Sequence, residues 1–392
     1  MKEIYIPDGA KYIIETLAER GYDAYIVGGC VRDALLSRHA EDYDITTSAL
    51  PDTIKASFDK TVDTGIAHGT VSVIYEGATY EVTTYRIDGE YKDMRRPESV
   101  SFTANLADDL ARRDFTVNAM AYNERDGLVD EYGGLDDLEK RMIRAVGDPN
   151  LRFTEDALRI LRGIRFASTL GFSIEENTAS AIRKLASNLR GVSSERILVE
   201  WRKLLGGDGA FDVITDYIDV IRVFFPEIQN FAHSREAFCS LSAEHRFVSL
   251  FVGNGGASAF VAASSRLKSD NKTKERGVAI LDALRELEDG GCENLRLYLI
   301  GKDDSVSLDA AEIGVKLGML NESIYREVKS LIESDSVRRI NQLSVGGKEL
   351  LSMGIRGEAI GRALSDMLEC VADGKLSNER DVLLSYVSDK YL

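Results

Sequence analysis

The sequence predicts an α+β chain in which a mixed amino-terminal part is followed by an all-helical remainder. Two observations lead there. Up to about residue 130, short runs rich in β-branched and aromatic residues alternate with amphipathic helical runs, punctuated by glycine or proline. From Leu151 onward the strand signals fade and helical periodicity continues almost without a break. The junction falls near "VGDPNLRF", and polar or glycine-rich stretches at 206–211 and between about 270 and 305 interrupt the helical part.

Taken in order, "PDGAKYIIETLAERGYD" spaces its apolar residues as a helix that stops at Gly21. "AYIVGG" is a short buried strand, and "CVRDALLS" opens the next helix. "DYDITT" carries the β-branched residues of a strand, and "SALPDTIKASF" is a helix with Pro51 in its first turn. "HGTVSVIYEGATYEVTTYRID" predicts a hairpin turning at Glu76 and Gly77. "GEYKDMRRPESVSFTAN" has no clear period and predicts a long mobile loop. "LADDLARRDFTVNAMAYN" gives a helix, then a turn into a strand. No internal repeat or low-complexity segment interrupts this plan.

The composition, 44% hydrophobic and 29% charged over 392 residues, is that of a soluble globular protein long enough for several cores. No apolar run approaches a membrane span, and the acidic, amphipathic start is unlike a targeting peptide. Cys30, Cys239, Cys292 and Cys370 are too scattered for a metal or redox motif, so a reduced, cytoplasmic setting is expected. The net charge of -16 is unevenly spread. Residues 1–150 carry 17 Lys and Arg against 29 Asp and Glu, whereas residues 151–210 carry 10 against 7. A basic segment inside an acidic chain is where a polyanion would bind.

Alternate strand residues share a face, so Asp42 and Asp44 project together about 7 Å apart. Glu81, on the hairpin, can supply a third carboxylate. Mg2+ takes oxygen ligands, commonly one or two carboxylates together with substrate phosphates. Gly28 and Gly29 lie between a strand and a helix start, where backbone N–H groups meet phosphate, and Arg32 follows one turn later. D-x-D alone is a weak signal. The Gly-Gly-x-x-Arg element just upstream makes a metal-held triphosphate the better reading, and the missing G-x-G-x-x-G pattern argues against a Rossmann dinucleotide site.

These motifs, "VGGCVRDALL…DYDITT", "HGTVSV", "EVTTYR", "YKDMRRPESVSF", "DLARRDFTVNAMAYN", "EDALRILRGIRFA" and "SSERILVEWRKLL", stand in one order. Together they resemble the class II tRNA nucleotidyltransferases, the family of CCA-adding enzymes and bacterial poly(A) polymerases. The likeness is dense over residues 22–205 and returns in "SVGGKELLSMGIRGEAIGRALSDMLECVADGKLSNERDVLLSYV"; residues 210–340 carry none. It implies a polymerase-β-like nucleotidyltransferase head (1–140), a helical neck that recognises the base (141–208), a helical body (209–300) and a helical, tRNA-binding tail (301–392).

By this resemblance, Asp42 and Asp44 bind the catalytic Mg2+ ions, with Glu81 beside them. Gly28, Gly29, Arg32 and Arg113 contact the triphosphate, and Asn118 helps order the site. Asp156 and Arg159, three apart, would be neighbours on one helical face. An acceptor beside a donor matches the Watson–Crick edges of cytosine and adenine, whereas guanine and uracil present the reverse order. The pair would thus select CTP and ATP without a template. Glu155 would orient Arg159, Arg162 and Arg165 would continue the nucleotide-contacting row, and Arg196 and Glu200 would brace it. His68 is expected as a turn residue. Arg95 and Arg96 are either solvated loop charges or help reshape the site between C and A addition.

Three activities share such a head: complete CCA addition to the tRNA 3′ end, partial addition of CC or A, and poly(A) synthesis. The intact loop before R-R-D-F argues against CC-only addition, and the E-D-x-x-R motif leans towards full CCA; A-only addition stays open. A non-catalytic RNA-binding relic is disfavoured because every residue of the chemistry is present, and a small-molecule transferase would have no use for the long helical part. No His-Asp phosphohydrolase pattern occurs in the middle of the chain. Two positions depart from the family: Ser37 stands where glycine is usual, and Glu41 where a basic residue is frequent.

Overall fold

A seven-stranded mixed sheet organises the first 130 residues, its strands lying in the order Thr61–Gly65, Thr70–Tyr75, Ala78–Thr84, Ile45–Thr47, Ala24–Val27, Ala121–Asn123, Gly127–Val129. The computed structural model describes residues 4–89, 99–334 and 336–392. The chain divides into two units, residues 1–226 and 227–392.

In the first unit, α1 (Asp8–Glu19) leads to β1 (Ala24–Val27), α2 (Gly29–Leu35), β2 (Ile45–Thr47) and α3 (Pro51–Ser57). Then come β3 (Thr61–Gly65), β4 (Thr70–Tyr75), β5 (Ala78–Thr84), β6 (Arg86–Asp88) and β7 (Val100–Phe102). α4 (Leu106–Ala111), β8 (Ala121–Asn123), β9 (Gly127–Val129) and α5 (Gly134–Glu139) complete the mixed part. β1 pairs antiparallel with both β2 and β8, while β2 runs parallel to β5. The expected hairpin forms between β4 and β5. Glu76 (φ 48°) and Gly77 (φ 86°) are both left-handed, as the right-handed twist of paired strands demands of a two-residue turn.

Four expectations need correction. "DYDITT" is a strand only from Ile45; Asp42 and Asp44 precede it. The cause is that β1 leaves the sheet at Gly28, so the last bond there runs from the Val27 N–H to the Asp44 carbonyl, 3.0 Å. β3 went unread because its side chains do not alternate in burial, as befits an edge strand. The long polar stretch is not all loop: its end, β7, pairs antiparallel with β6. Phe102 seats this ribbon over Gly69, where an added Cβ would stand 2.7 Å from its ring. Residues 90–98 of that stretch, with Arg95 and Arg96, lie outside the described residues. Finally, a parallel pair, β10 (Met142–Ile143) with β11 (Ser173–Ile174), puts one short strand in the part expected to be all helical.

The helices that follow in this unit are α6 (Pro149–Glu155), α7 (Leu158–Leu170), α8 (Glu176–Leu185), α9 (Ser194–Leu205), α10 (Ala210–Asp216) and α11 (Ile218–Ile221). α7 packs on α9, and Trp201 is buried against Phe224 and Phe225. Gly163 on α7 admits the Phe115 ring, which an added Cβ would meet at 3.0 Å. An isolated bridge between Phe115 and Ala145 joins the same loop to the segment before α6.

The second unit is helical throughout its described residues: α12 (Arg235–Ser240), α13 (Ala243–Ser249), α14 (Gly256–Arg266), α15 (Asn271–Glu288), α16 (Leu295–Tyr298), α17 (Asp304–Lys316), α18 (Glu322–Glu333), α19 (Gly347–Ser352), α20 (Glu358–Ala372) and α21 (Arg380–Tyr391). Its last three helices close around Leu350, Ile355, Met367, Leu383 and Val387. Among the described residues no helix is long and apolar enough to cross a membrane.

Candidate active site

The site is built where β1 turns away from the sheet. Gly28 has φ 82° and ψ −126°, a backbone that only glycine adopts without strain, and it begins α2. A Cβ there would stand 2.9 Å from Arg113 Nη1, so the glycine also makes room for that guanidinium. Gly29 is the first residue of α2. Ile45 pairs with Val82 in parallel register, so one step back Asp44 lies beside Glu81. Asp42 is two residues earlier along the same approach.

Asp44 reaches solvent, yet the protein around it raises its pKa. Burial is the largest cause; Arg113 opposes it, and Glu81 and Asp42 push the carboxyl further up. Among the described residues, no lysine, arginine or histidine forms an ion pair with Asp42, Asp44 or Glu81. Their oxygens do not all close within 4.8 Å of one another, as the trio His245, Asp309 and Glu312 do. Three neighbouring carboxylates with no ion-pair partner among the described residues, one of them held above its usual pKa, form a donor set suited to a hard divalent metal.

Arg113 faces these carboxylates. Burial lowers its pKa, opposed chiefly by Asp109, and its Nε is buried without a hydrogen-bond partner. Asp109 is fully buried. It accepts from Arg112 at 2.9 and 2.7 Å, from Arg113 at 3.5 Å and from the Thr46 hydroxyl at 3.1 Å, fastening both arginines to β2. Arg32 donates to Asn118 Oδ1 at 2.6 Å and to both oxygens of Asp33 at 2.9 Å. Asn118 in turn donates to Asp114 at 3.1 Å. Thus Arg32 and Arg113, 81 positions apart in sequence, both reach the Gly28–Gly29 turn.

Asp114 and Asp109 were not singled out by sequence reasoning; their position within and just before R-R-D-F was the available signal. Asp114 is buried and accepts from the Phe115 N–H at 2.8 Å and from Arg162 Nε at 2.8 Å. Burial alone would raise its carboxyl, but Arg162, with the Asn118 and Arg162 hydrogen bonds, brings it down to about 2. Arg162 also stands 3.7 Å from Glu200, which accepts from Arg165 Nε at 2.9 Å. Arg165 lies over the Phe166 ring, 3.5 Å from its centroid, with Arg32 and Arg162 near the same ring at 5.2 and 5.4 Å.

Asp156 and Arg159 do not share a helical face. The helix breaks at Asp156 (φ −135°, ψ 104°), whose carboxylate instead accepts from the Leu158 N–H at 3.0 Å and starts α7. Aspartate suits that break because its side chain replaces the missing helical acceptor. Its other oxygen accepts from Arg196 at 2.8 Å. Arg159 is braced by Glu155 at 2.9 Å, four residues earlier, and donates to the Arg112 carbonyl at 3.0 Å. The arginine row of α7 is therefore locked to the loop that carries Arg112 and Arg113.

Three family models match the chain in order: the poly A polymerase head domain over residues 24–144, the RNA- and SrmB-binding site of polymerase A over 171–231, and tRNA nucleotidyltransferase domain 2 over 259–387. A CCA-adding enzyme of Levilactobacillus brevis is 38% identical, over 97% of both chains. The chain belongs to the CCA-adding enzyme family. A member from Geobacillus stearothermophilus is 36% identical over 96% of both chains. The crystal structure of the Bacillus stearothermophilus CCA-adding enzyme in complex with CTP has a TM-score of 0.80 and 32% identity, covering 100% of this chain and 98% of that one. The Thermotoga maritima CCA-adding enzyme, solved with tRNA, shares the fold at a TM-score of 0.74 and 22% identity, covering 99% and 97%. The second-domain model also reaches into residues 210–340, where motif reading found no likeness. Nucleotidyltransferases of this family use divalent metal, in keeping with the Asp42, Asp44 and Glu81 donor set.

Proposed function

We propose that the chain adds C, C and A to the 3′ end of tRNA from CTP and ATP, without a nucleic-acid template and with release of pyrophosphate. The supporting observation is kinship along the full chain to enzymes named for that reaction, one of them solved with CTP. The functional parts are a catalytic head (1–140), a base-selecting neck (141–208), a body (209–300) and a tRNA-gripping tail (301–392), working in the cytoplasm.

Asp42 and Asp44 would hold Mg2+, with Glu81 completing the acidic edge; all-oxygen donors beside a triphosphate favour that ion. A metal held by these carboxylates would supply polarisation of the attacking 3′-hydroxyl and charge compensation for the leaving pyrophosphate. The other residues position and neutralise. Gly28 and Gly29 let the backbone approach the triphosphate, and Arg32 and Arg113 balance its charge. Asn118 and Asp114 fix Arg32 and Arg162. Asp156 accepts from the exocyclic amine of cytosine or adenine, and Arg159 donates to the adjacent ring nitrogen. Arg162 and Arg165 complete the nucleotide cradle, with Glu155, Arg196 and Glu200 as braces.

The test is incubation with Mg2+, radiolabelled CTP or ATP, and tRNAs ending before CCA, at C or at CC. The reading requires both nucleotides to be incorporated, with a stop after A. ATP incorporation only on the CC end means an A-adding enzyme, and unlimited A means a poly(A) polymerase. No incorporation at all overturns an enzymatic role.

A further inference from the structure

A second candidate metal centre lies in the helical unit, apart from the acidic edge described above. His245 on α13 faces Asp309 and Glu312, which are three apart and so share one face of α17. A ring nitrogen and one oxygen of each carboxylate all lie within 4.8 Å of one another. His245 Nε2 is 3.4 Å from Asp309 Oδ1, and Nδ1 is 3.8 Å from Glu312 Oε2. Both separations exceed a good hydrogen bond. They start from different ring nitrogens, of which one ion takes only one; the Nε2–Asp309 separation matches the ~3.4 Å between two ligand atoms that share a tetrahedral ion at bond lengths of about 2.1 Å.

Two further observations point to a ligand. His245 is only 9% exposed, and its Nδ1 is buried with no hydrogen-bond partner, an uncommon state for a ring nitrogen between two acids. Each carboxylate is also oriented from behind. Asp309 Oδ2 is held by Arg276 of α15, and Glu312 Oε1 by Lys316 at 2.5 Å. One oxygen of each is thereby engaged while the other turns towards the imidazole, as outer partners commonly orient metal ligands. Arg276 also reaches Glu244 at 3.4 Å. With a neutral imidazole, three carboxylates face two cations, leaving one surplus negative charge.

We propose that His245, Asp309 and Glu312 form a divalent transition-metal site that pins α13 to α17. One ring nitrogen and two carboxylate oxygens supply three ligands, and water completes the shell. The imidazole sets the preference: a mixed nitrogen and oxygen set favours Zn2+ or Co2+ over Mg2+, the reverse of the oxygen-only edge at Asp42 and Asp44.

The experiment titrates the full-length chain with Co2+ in excess Mg2+, following visible absorption, bound stoichiometry and the unfolding temperature. The expected result is one Co2+ per chain with the intense bands of four- or five-coordination and a raised unfolding temperature. His245→Gln and Asp309→Asn should each lose that equivalent, while Asp42→Ala keeps it. X-ray absorption of the wild-type cobalt complex should show an imidazole nitrogen, a readout that stands even if a variant fails to fold. An all-oxygen shell, no bound equivalent, or unchanged binding in a folded His245→Gln chain each overturns the proposal. So does binding of a proton alone between the acids, seen as a His245 imidazole titration that Co2+ leaves untouched.

Discussion

Arg162 grips Asp114 with two nitrogens, Nε at 2.8 Å and Nη2 at 2.6 Å, tying α7 to the loop that follows α4. Asp114 is buried while Arg162 stays partly exposed, and Asp114 also holds Asn118 and through it Arg32. One carboxylate therefore aligns Arg32 and Arg162 together, the two arginines proposed to meet the triphosphate and to continue the nucleotide cradle.

Asp114→Asn keeps the shape and removes the charge. Leaving Arg162 without its charged partner should cost about 2–3 kcal/mol at neutral pH, read from denaturant unfolding. The loss of alignment should lower kcat/KM for both nucleotides on the order of 10²-fold. The acid limb gives an independent check. The folded-state pKa, about 2, lies below the ordinary 3.8, so this group's stabilisation is complete above pH 3.8 and lost as pH falls through 2. The shift corresponds to roughly 2 kcal/mol. The variant's stability should fall less steeply than the wild type's across that window.

Asp44 behaves in the opposite sense. Its raised pKa means that the proton competes with metal from a higher pH than at an ordinary carboxylate. The apparent Mg2+ requirement should grow as pH falls, and excess Mg2+ should restore activity. Asp42→Ala and Asp44→Ala should abolish transfer with every nucleotide while Arg32 and Arg113 still bind triphosphate. Measurable transfer by either variant, assayed with radiolabelled CTP, contradicts the metal assignment.

Asp156→Ala should relax base choice and leave some transfer, with kcat/KM for GTP and UTP rising relative to CTP and ATP. The same change removes the cap on α7, at about 1 kcal/mol of stability. Arg196→Ala frees the Asp156 carboxylate without removing it, so its discrimination should lie between wild type and Asp156→Ala. An unchanged four-nucleotide preference in Asp156→Ala refutes the base-reading role.

Ser37 is left-handed at φ 57°, just past the end of α2, where the family usually has glycine. A non-glycine residue pays about 1–2 kcal/mol in that region. Ser37→Gly should therefore raise the unfolding temperature, with a net gain of roughly 0.5–1 kcal/mol after the added freedom of the unfolded chain.

Local chemistry made much of this legible before any coordinates. Gly28, the Glu76–Gly77 turn and Pro51 at the start of α3 each mark a backbone shape that needs no distant partner. The Glu155–Arg159 pair forms too, though across the break at Asp156 and not along one continuous helix. What stayed hidden depends on contacts far apart in sequence. Asp109 matters because Thr46 and two arginines converge on it, and Asp114 because α7 arrives 48 positions later. The break at Asp156 was missed for a related reason: Glu, Ala, Leu and Arg all suit a helix and outweigh one Asp, and only the Arg196 pairing and the cap fix the alternative. Strands of three residues such as β6 and β7 are too short for any period to register.

The seam at Phe115 has a consequence for dissection of the gene product. That ring fills the gap left by Gly163, its backbone bridges Ala145, and Arg159 reaches back to the Arg112 carbonyl. A fragment ending near residue 140 would strip the aromatic of its cover and strand the Asp114 carboxylate in the open. The sheet and the helices up to Pro226 should therefore melt as one cooperative block, and neither half should survive alone as an autonomous module.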